Sequence, residues 1–132
     1  MIAVPVTELS QVADARRRAL GVAGSIGFDE NDAGRVALVA TELSTNLVKY
    51  GASGELLIGL FEDPTGSGVE IVAVDKGAGM GDPLESQRDG QSTGGSPGTG
   101  LGAVRRQSHL FRLASWPGLG TAVLARLQKA AR

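Results

Sequence analysis

Two polar side chains on one predicted helix are the first candidates for chemistry. Glu42 and Asn46 are four residues apart in a segment whose apolar residues recur at helical spacing, so both border its apolar stripe. An amide oxygen beside a carboxylate suits a hard cation such as Mg²⁺ that also holds substrate phosphates. A solvated helix edge that includes Lys49 explains the same spacing, and the pair alone favours that simpler interpretation.

A second candidate motif lies where a predicted strand ends, at Asp75-Lys-Gly77-Ala-Gly79. A carboxylate there can accept a hydrogen bond from an exocyclic amine, and the two glycines allow a planar ring to approach the backbone. An ordinary Asp-x-Gly turn has the same sequence. The motif alone leaves the two interpretations open.

A third motif, Gly98-Thr-Gly-Leu-Gly102, opens a predicted helix. Free backbone N–H groups and the helix dipole make such a terminus suitable for phosphate. A dinucleotide-binding fingerprint needs a strand immediately before it, and a long polar segment precedes this one. A Walker A loop needs a Gly-Lys-Ser/Thr sequence, which is absent. Both of these common nucleotide-binding motifs are therefore excluded.

Composition removes several other classes of protein. The 132 residues include no cysteine and one histidine, which excludes disulfides, thiol catalysis and His-rich metal sites. The net charge of −1 disfavours a nucleic-acid-binding surface, and no apolar run is long enough for a membrane helix. We expect one soluble, cytoplasmic domain over residues 1–132, without nucleic-acid or membrane partners. His109, the single histidine, is expected to have a structural or surface role.

The elements that would position these motifs follow the order β-α-α-β-β-loop-α-β-β. We predict an α+β fold, a two-layer α/β sandwich with a mixed, mostly antiparallel sheet and about three helices on one face. Thr7 is the predicted N-cap of the first helix, and Asp29 begins a second helix whose apolar stripe extends to Tyr50. Nine of the twenty glycines fall between Gly77 and Gly102, in a long polar segment that we predict to be functional.

The order and spacing of the three motifs resemble the N, G1 and G2 boxes of the GHKL (Bergerat-fold) ATPases. The resemblance covers nearly the whole chain. Within that superfamily the chain is similar to the small bacterial anti-sigma-factor and switch-protein serine/threonine kinases of partner-switching systems. Lys49-Tyr50 is typical of the switch-kinase branch, since anti-sigma kinases more often carry a histidine there.

The resemblance implies a role for each motif in binding ATP and Mg²⁺. Asn46 would coordinate Mg²⁺ on the ATP phosphates, and Glu42 would orient or deprotonate the attacking hydroxyl. Asp75 would hydrogen-bond the adenine amine with help from Thr121, and residues 81–98 would form the ATP lid. The remaining implied contacts are with the base, from Gly77 and Gly79, and with the phosphates, from Thr99, Gly100, Leu101, Gly102, Lys49 and Arg105.

The implied function is an ATP-dependent serine/threonine kinase that phosphorylates a STAS-domain partner in a bacterial stress or sigma-factor pathway. The alternative is a non-catalytic, nucleotide-gated module that binds and activates a PPM-type phosphatase or another partner such as a sigma factor. A third possibility is the ATPase end of a sensor histidine kinase, which the lack of an upstream phosphoacceptor helix disfavours. Oligomeric state and the identity of the substrate stay open.

Overall fold

Three helices and five strands make up the part of the chain that the computed structural model describes, residues 1–77 and 100–130. The predicted order of elements is confirmed. In chain order they are β1 (Ile2–Pro5), α1 (Ser10–Ser25), α2 (Glu30–Tyr50), β2 (Glu55–Asp63), β3 (Gly66–Asp75), α3 (Leu101–Gln107), β4 (Leu110–Trp116) and β5 (Gly120–Gln128).

The strands form one sheet in the order β1-β2-β3-β5-β4, and the helices pack on one of its faces. The predicted α+β sandwich is confirmed. All four strand pairings in the described residues are antiparallel, so the parallel pair that a mixed sheet requires is not found among them. Because β3 and β5 are neighbours, Asp75 lies directly opposite Thr121. The register thus joins two motifs that are far apart in sequence.

Helix α2 contributes many of the buried apolar side chains that pack between the helices and the sheet. Its start follows the prediction, because the Asp29 carboxylate accepts a hydrogen bond of 2.8 Å from the backbone N–H of Asp32. The predicted apolar stripe is buried as far as Leu47, which is 5% exposed. The prediction that Tyr50 continues the stripe is wrong, since Tyr50 is 45% exposed where the helix ends at Gly51.

Helix α1 begins two residues later than predicted. Thr7 is not its N-cap, because the helix starts at Ser10 with Leu9 in the cap position. The Gln11 side chain instead accepts hydrogen bonds from the backbone just before the helix. Its Oε1 accepts from the backbone N–H of Thr7 at 2.7 Å and from that of Glu8 at 3.2 Å. A side chain from inside the helix therefore satisfies backbone donors that precede it.

His109 fastens the start of β4 to the end of β5. Its Nδ1 accepts a hydrogen bond of 2.9 Å from the backbone N–H of Gln128, and the Arg35 guanidinium lies 3.3 Å from the same nitrogen. Burial and the Arg35 charge lower the pKa of His109, against the opposite effect of the Asp32 carboxylate. The contact therefore requires a neutral imidazole.

None of the helices in residues 1–77 and 100–130 combines the length and apolarity needed to cross a membrane.

Candidate active site

One residue from each of the three sequence motifs, Asn46, Asp75 and Leu101, lines a single cavity between the C-terminal half of α2, the start of α3 and the ends of β3 and β5. Its walls are mainly apolar and three polar side chains interrupt them. The lining residues are Leu43, Asn46, Leu47, Tyr50, Ala73, Asp75, Leu101, Thr121 and Val123. A cavity with apolar walls and a few convergent polar groups is typical of a small-molecule or cofactor site.

Asp75 and Thr121 form the polar end of this cavity. The Asp75 Oδ1 accepts a hydrogen bond of 2.7 Å from the backbone N–H of Gly77, which fixes the direction of the carboxylate. The Thr121 side chain is nearly buried, and its hydroxyl lies 3.0 Å from the Ser115 hydroxyl. Since no described residue donates to the second oxygen of Asp75, that oxygen can accept from a ligand.

Glycines surround Asp75 because the chain passes it too closely for side chains. Gly120 has φ of +128°, and a Cβ there would lie 2.0 Å from the backbone oxygen of Asp75. A Cβ on Gly77 would lie 3.0 Å from the Asp75 Oδ1, and one on Gly51 would lie 3.0 Å from the Asp75 Cβ. The sequence analysis assigned no role at the site to Gly51 or Gly120. Their role depends on tertiary contacts, and no local sequence signal indicates it.

Asn46 supplies the polar group on the helix side of the cavity. Its Nδ2 is buried and has no hydrogen-bond partner among residues 1–77 and 100–130. A buried amide without a partner is costly, so a ligand is the expected source of the missing interaction. No cluster of three His, Asp or Glu exists in the same residues. The Nδ2 group donates, so the partner it lacks is an acceptor such as a phosphate oxygen. The Oδ1 of the same amide is the atom that would coordinate Mg²⁺, which usually retains waters and binds substrate phosphates beside one or two protein oxygens.

Glu42, one turn before Asn46, does not line the cavity. It faces a groove between α1 and α2, and its carboxylate approaches the backbone of Gly100 at the start of α3. A Cβ on Gly100 would lie 2.0 Å from the Glu42 Oε2, and Gly100 has φ of +74°. Glu42 and Asn46, adjacent along one helix, therefore line two different compartments, the groove and the cavity.

Of the other predicted site residues, some line the cavity, some do not, and some lie outside the described residues. Leu101 forms part of the cavity wall, and Gly102 is buried but does not line the cavity. Lys49 and Arg105 are exposed and do not line the cavity. The predictions for Gly79, Thr99 and the lid at residues 81–98 fall outside the described residues.

The fold and the cavity together define an α+β domain with a candidate small-molecule site, and comparison with known proteins identifies its family. The chain belongs to the histidine kinase-like ATPase domain family, whose sequence profile matches residues 6–127. The resemblance to the GHKL ATPases is thereby confirmed, and membership of this family implies the use of ATP.

Two individual proteins illustrate the relationship. The serine/threonine-protein kinase RsbT of Bacillus subtilis (strain 168) is 36% identical over 120 residues, which cover 91% of this chain and 90% of RsbT. The histidine kinase domain from the Erythrobacter litoralis EL346 blue-light activated histidine kinase superposes with a TM-score of 0.56 at 16% identity. That match covers 95% of this chain and 61% of the other, and it shows a shared fold.

Proposed function

We propose that this protein is an ATP-dependent serine/threonine kinase of a bacterial partner-switching pathway and that its substrate is a STAS-domain protein. The observation that carries the proposal is the position of Glu42. This carboxylate lies just outside the cavity that Asn46 and Asp75 line, at the glycine that begins α3. The identity to RsbT over most of both chains supports the kinase chemistry.

The polar end of the cavity, formed by Asp75 and Thr121, would hold adenine. The free oxygen of Asp75 would accept a hydrogen bond from the exocyclic amine, and the Thr121 hydroxyl would contact the ring edge directly or through a water. Gly77 and Gly79 would leave space for the ring beside the backbone. The apolar wall, including Leu43 and Val123, would cover its faces.

The triphosphate would extend from adenine toward the start of α3. Asn46 would hold Mg²⁺ there, and the metal would neutralise charge that develops on the phosphates. Backbone groups of Thr99, Gly100 and Gly102 would contact the phosphates, with residues 81–98 as the lid that excludes water from the γ-phosphate.

Glu42 would act on the acceptor hydroxyl of the substrate. The hydroxyl oxygen forms a bond to the γ-phosphorus as the bond from that phosphorus to the β,γ-bridging oxygen breaks, and ADP leaves. The hydroxyl proton passes to the Glu42 carboxylate, which is the general-base task in this reaction. The open groove beside Glu42 allows an acceptor to reach it from solvent.

Transfer of the γ-phosphate tests the proposal. Purified protein with Mg-ATP labelled at the γ-phosphate is mixed with each STAS-domain protein encoded in the same genome. Wild-type protein should label at least one of them, and Glu42→Ala should abolish labelling while ATP and partner binding persist. Glu62→Ala, at an exposed position on β2, is the matched control and should behave as wild type.

The same assay separates the two functions considered above. Full transfer by Glu42→Ala would overturn the assigned role of that carboxylate. Binding of a STAS-domain protein or a PPM-type phosphatase without any transfer by wild-type protein would instead favour a nucleotide-gated docking module.

A further inference from the structure

The groove that ends at Glu42 lies between the exposed faces of α1 and α2, and we refer to it as the α1–α2 groove. Its apolar surface comes from Leu9, Val12 and Leu38, and its floor includes Gly34. Leu9 is 69% exposed and Leu38 is 38% exposed, so the groove presents apolar surface to solvent.

The two ends of the groove carry opposite charges. Since α1 and α2 are consecutive helices joined by a short turn, they run antiparallel. Leu9 therefore lies toward Glu42, whereas Arg16 lies toward Gly34 at the far end. The groove is about 12 Å long, from the eight residues between Gly34 and Glu42 at about 1.5 Å each.

Arg16 differs from the two arginines that follow it. Arg17 pairs with the Asp14 carboxylate, and Arg18 lies 3.4 Å from its second oxygen. Arg16 points into the groove and has no ion pair with any residue in the described ranges. An exposed guanidinium of this kind is suited to bind a carboxylate supplied by another molecule.

From this geometry we infer that the α1–α2 groove binds the segment of the protein substrate that carries the acceptor hydroxyl. This inference rests on the function proposed above. The occupant we infer is an extended peptide segment. A strand-like chain rises about 3.3 Å per residue, so three to four residues of it span the groove. The acceptor serine or threonine lies at Glu42, apolar side chains contact Leu9 and Leu38, and an acidic residue about three positions away pairs with Arg16.

A second copy of this chain fits the groove less well than a substrate does. A permanent partner seated there would cover Glu42 and block access of the acceptor hydroxyl. The opposite charges at the two ends instead match one segment that presents a neutral hydroxyl to Glu42 and a carboxylate to Arg16.

Two glycines give a matched pair of variants to test this inference. A Cβ on Gly34 or on Gly21 would meet no atom within 4 Å, so a side chain can leave the backbone at either position without a clash at its first atom. Gly34→Trp fills the groove, whereas Gly21→Trp places the same indole on α1 outside it. With a STAS-domain protein as substrate, Gly34→Trp should raise KM at least tenfold and leave the Kd for Mg-ATP unchanged. Gly21→Trp should match wild type in both.

A charge reversal tests the acidic residue in the substrate. The probes are synthetic 11-residue peptides with a central serine between leucines and either aspartate or lysine three positions away, on one side or the other. Wild-type protein should phosphorylate an aspartate peptide with a several-fold higher kcat/KM than its lysine counterpart. Arg16→Glu should reverse that preference, and Arg17→Glu should keep it.

Each outcome bears on the inference separately from the proposed kinase activity. Equal KM values for Gly34→Trp and Gly21→Trp, or equal peptide preferences for Arg16→Glu and Arg17→Glu, would overturn it. So would a wild-type dimer that Gly34→Trp converts to a monomer in light scattering. If wild-type protein binds a STAS-domain protein but transfers no phosphate to it, the proposed kinase activity is refuted while the docking site can still be tested. A higher Kd for the STAS-domain protein in Gly34→Trp than in Gly21→Trp would then support the groove as the docking site, and equal Kd values would overturn it. Absence of both binding and transfer would refute both.

Discussion

Replacing Gly100 with alanine is expected to impair phosphoryl transfer far more than folding. The new Cβ would lie 2.0 Å from the Glu42 Oε2, whereas ordinary contacts begin at 3.4 Å, so the carboxylate must move by about 1.4 Å. A misplacement of about 1 Å can cost about 10²-fold in rate. We therefore expect kcat for transfer to a STAS-domain protein to fall about 100-fold, equivalent to about 2.7 kcal/mol.

Gly118→Ala is the control because it shares the backbone conformation but not the contact. Gly118 has φ of +78°, close to the +74° of Gly100, and a Cβ there would meet nothing within 4 Å. An alanine in the left-handed region costs about 1–2 kcal/mol at either position, which urea unfolding would measure. A kcat for Gly100→Ala equal to that of Gly118→Ala would refute the assigned position of Glu42.

Three further predictions concern the core, the base-binding end and pH. Leu43→Ala should lower the free energy of unfolding by about 2–5 kcal/mol in urea denaturation, and a similar loss for the exposed Leu60→Ala would contradict this. Asp75→Asn should weaken ATP binding about tenfold or more in calorimetry, since a hydrogen bond to a charged group is worth about 1.5–3 kcal/mol, and an unchanged Kd would exclude its contact with adenine. The pKa of His109 is lower in the folded chain than in the unfolded chain, so the unfolded chain binds a proton at His109 more readily. The contribution of neutral His109 to the free energy of unfolding is therefore full above about pH 6.5 and is lost as pH falls through the folded-state pKa. Urea unfolding at pH 7.5 and 5.5 should show a larger loss for wild type than for His109→Gln, and equal losses would rule out this linkage.

Local sequence patterns predicted the parts of the fold that depend on local physics. The cap at Asp29 and the buried positions of α2 up to Leu47 follow from capping chemistry and helical periodicity, which act within a few residues. Thr7 was misjudged as a cap because the competing Gln11 side chain has no distinctive spacing signal. Tyr50 was misplaced because periodicity cannot show where a helix leaves the sheet.

The candidate site was predictable in its residue types but not in its division into two compartments. Helical spacing places Glu42 and Asn46 on one edge, yet only the packing of α3 against α2 decides that one faces the groove and the other the cavity. The same holds for Gly120, whose close approach to Asp75 arises from the pairing of β3 with β5. Contacts between elements distant in sequence leave no local signal.

The central claim is that Mg-ATP binds in the cavity with Asn46 at the metal, and thermal unfolding tests it most directly. At a ligand concentration of 100 times Kd, binding stabilises the folded state by about 2.7 kcal/mol, which raises Tm by roughly 10 °C for a chain of this size. We predict that rise for wild type with Mg-ATP, a smaller one with ATP and EDTA, and a reduced shift for Asn46→Ala. An unchanged Tm at millimolar Mg-ATP, or the same full shift in Asn46→Ala, would contradict the account.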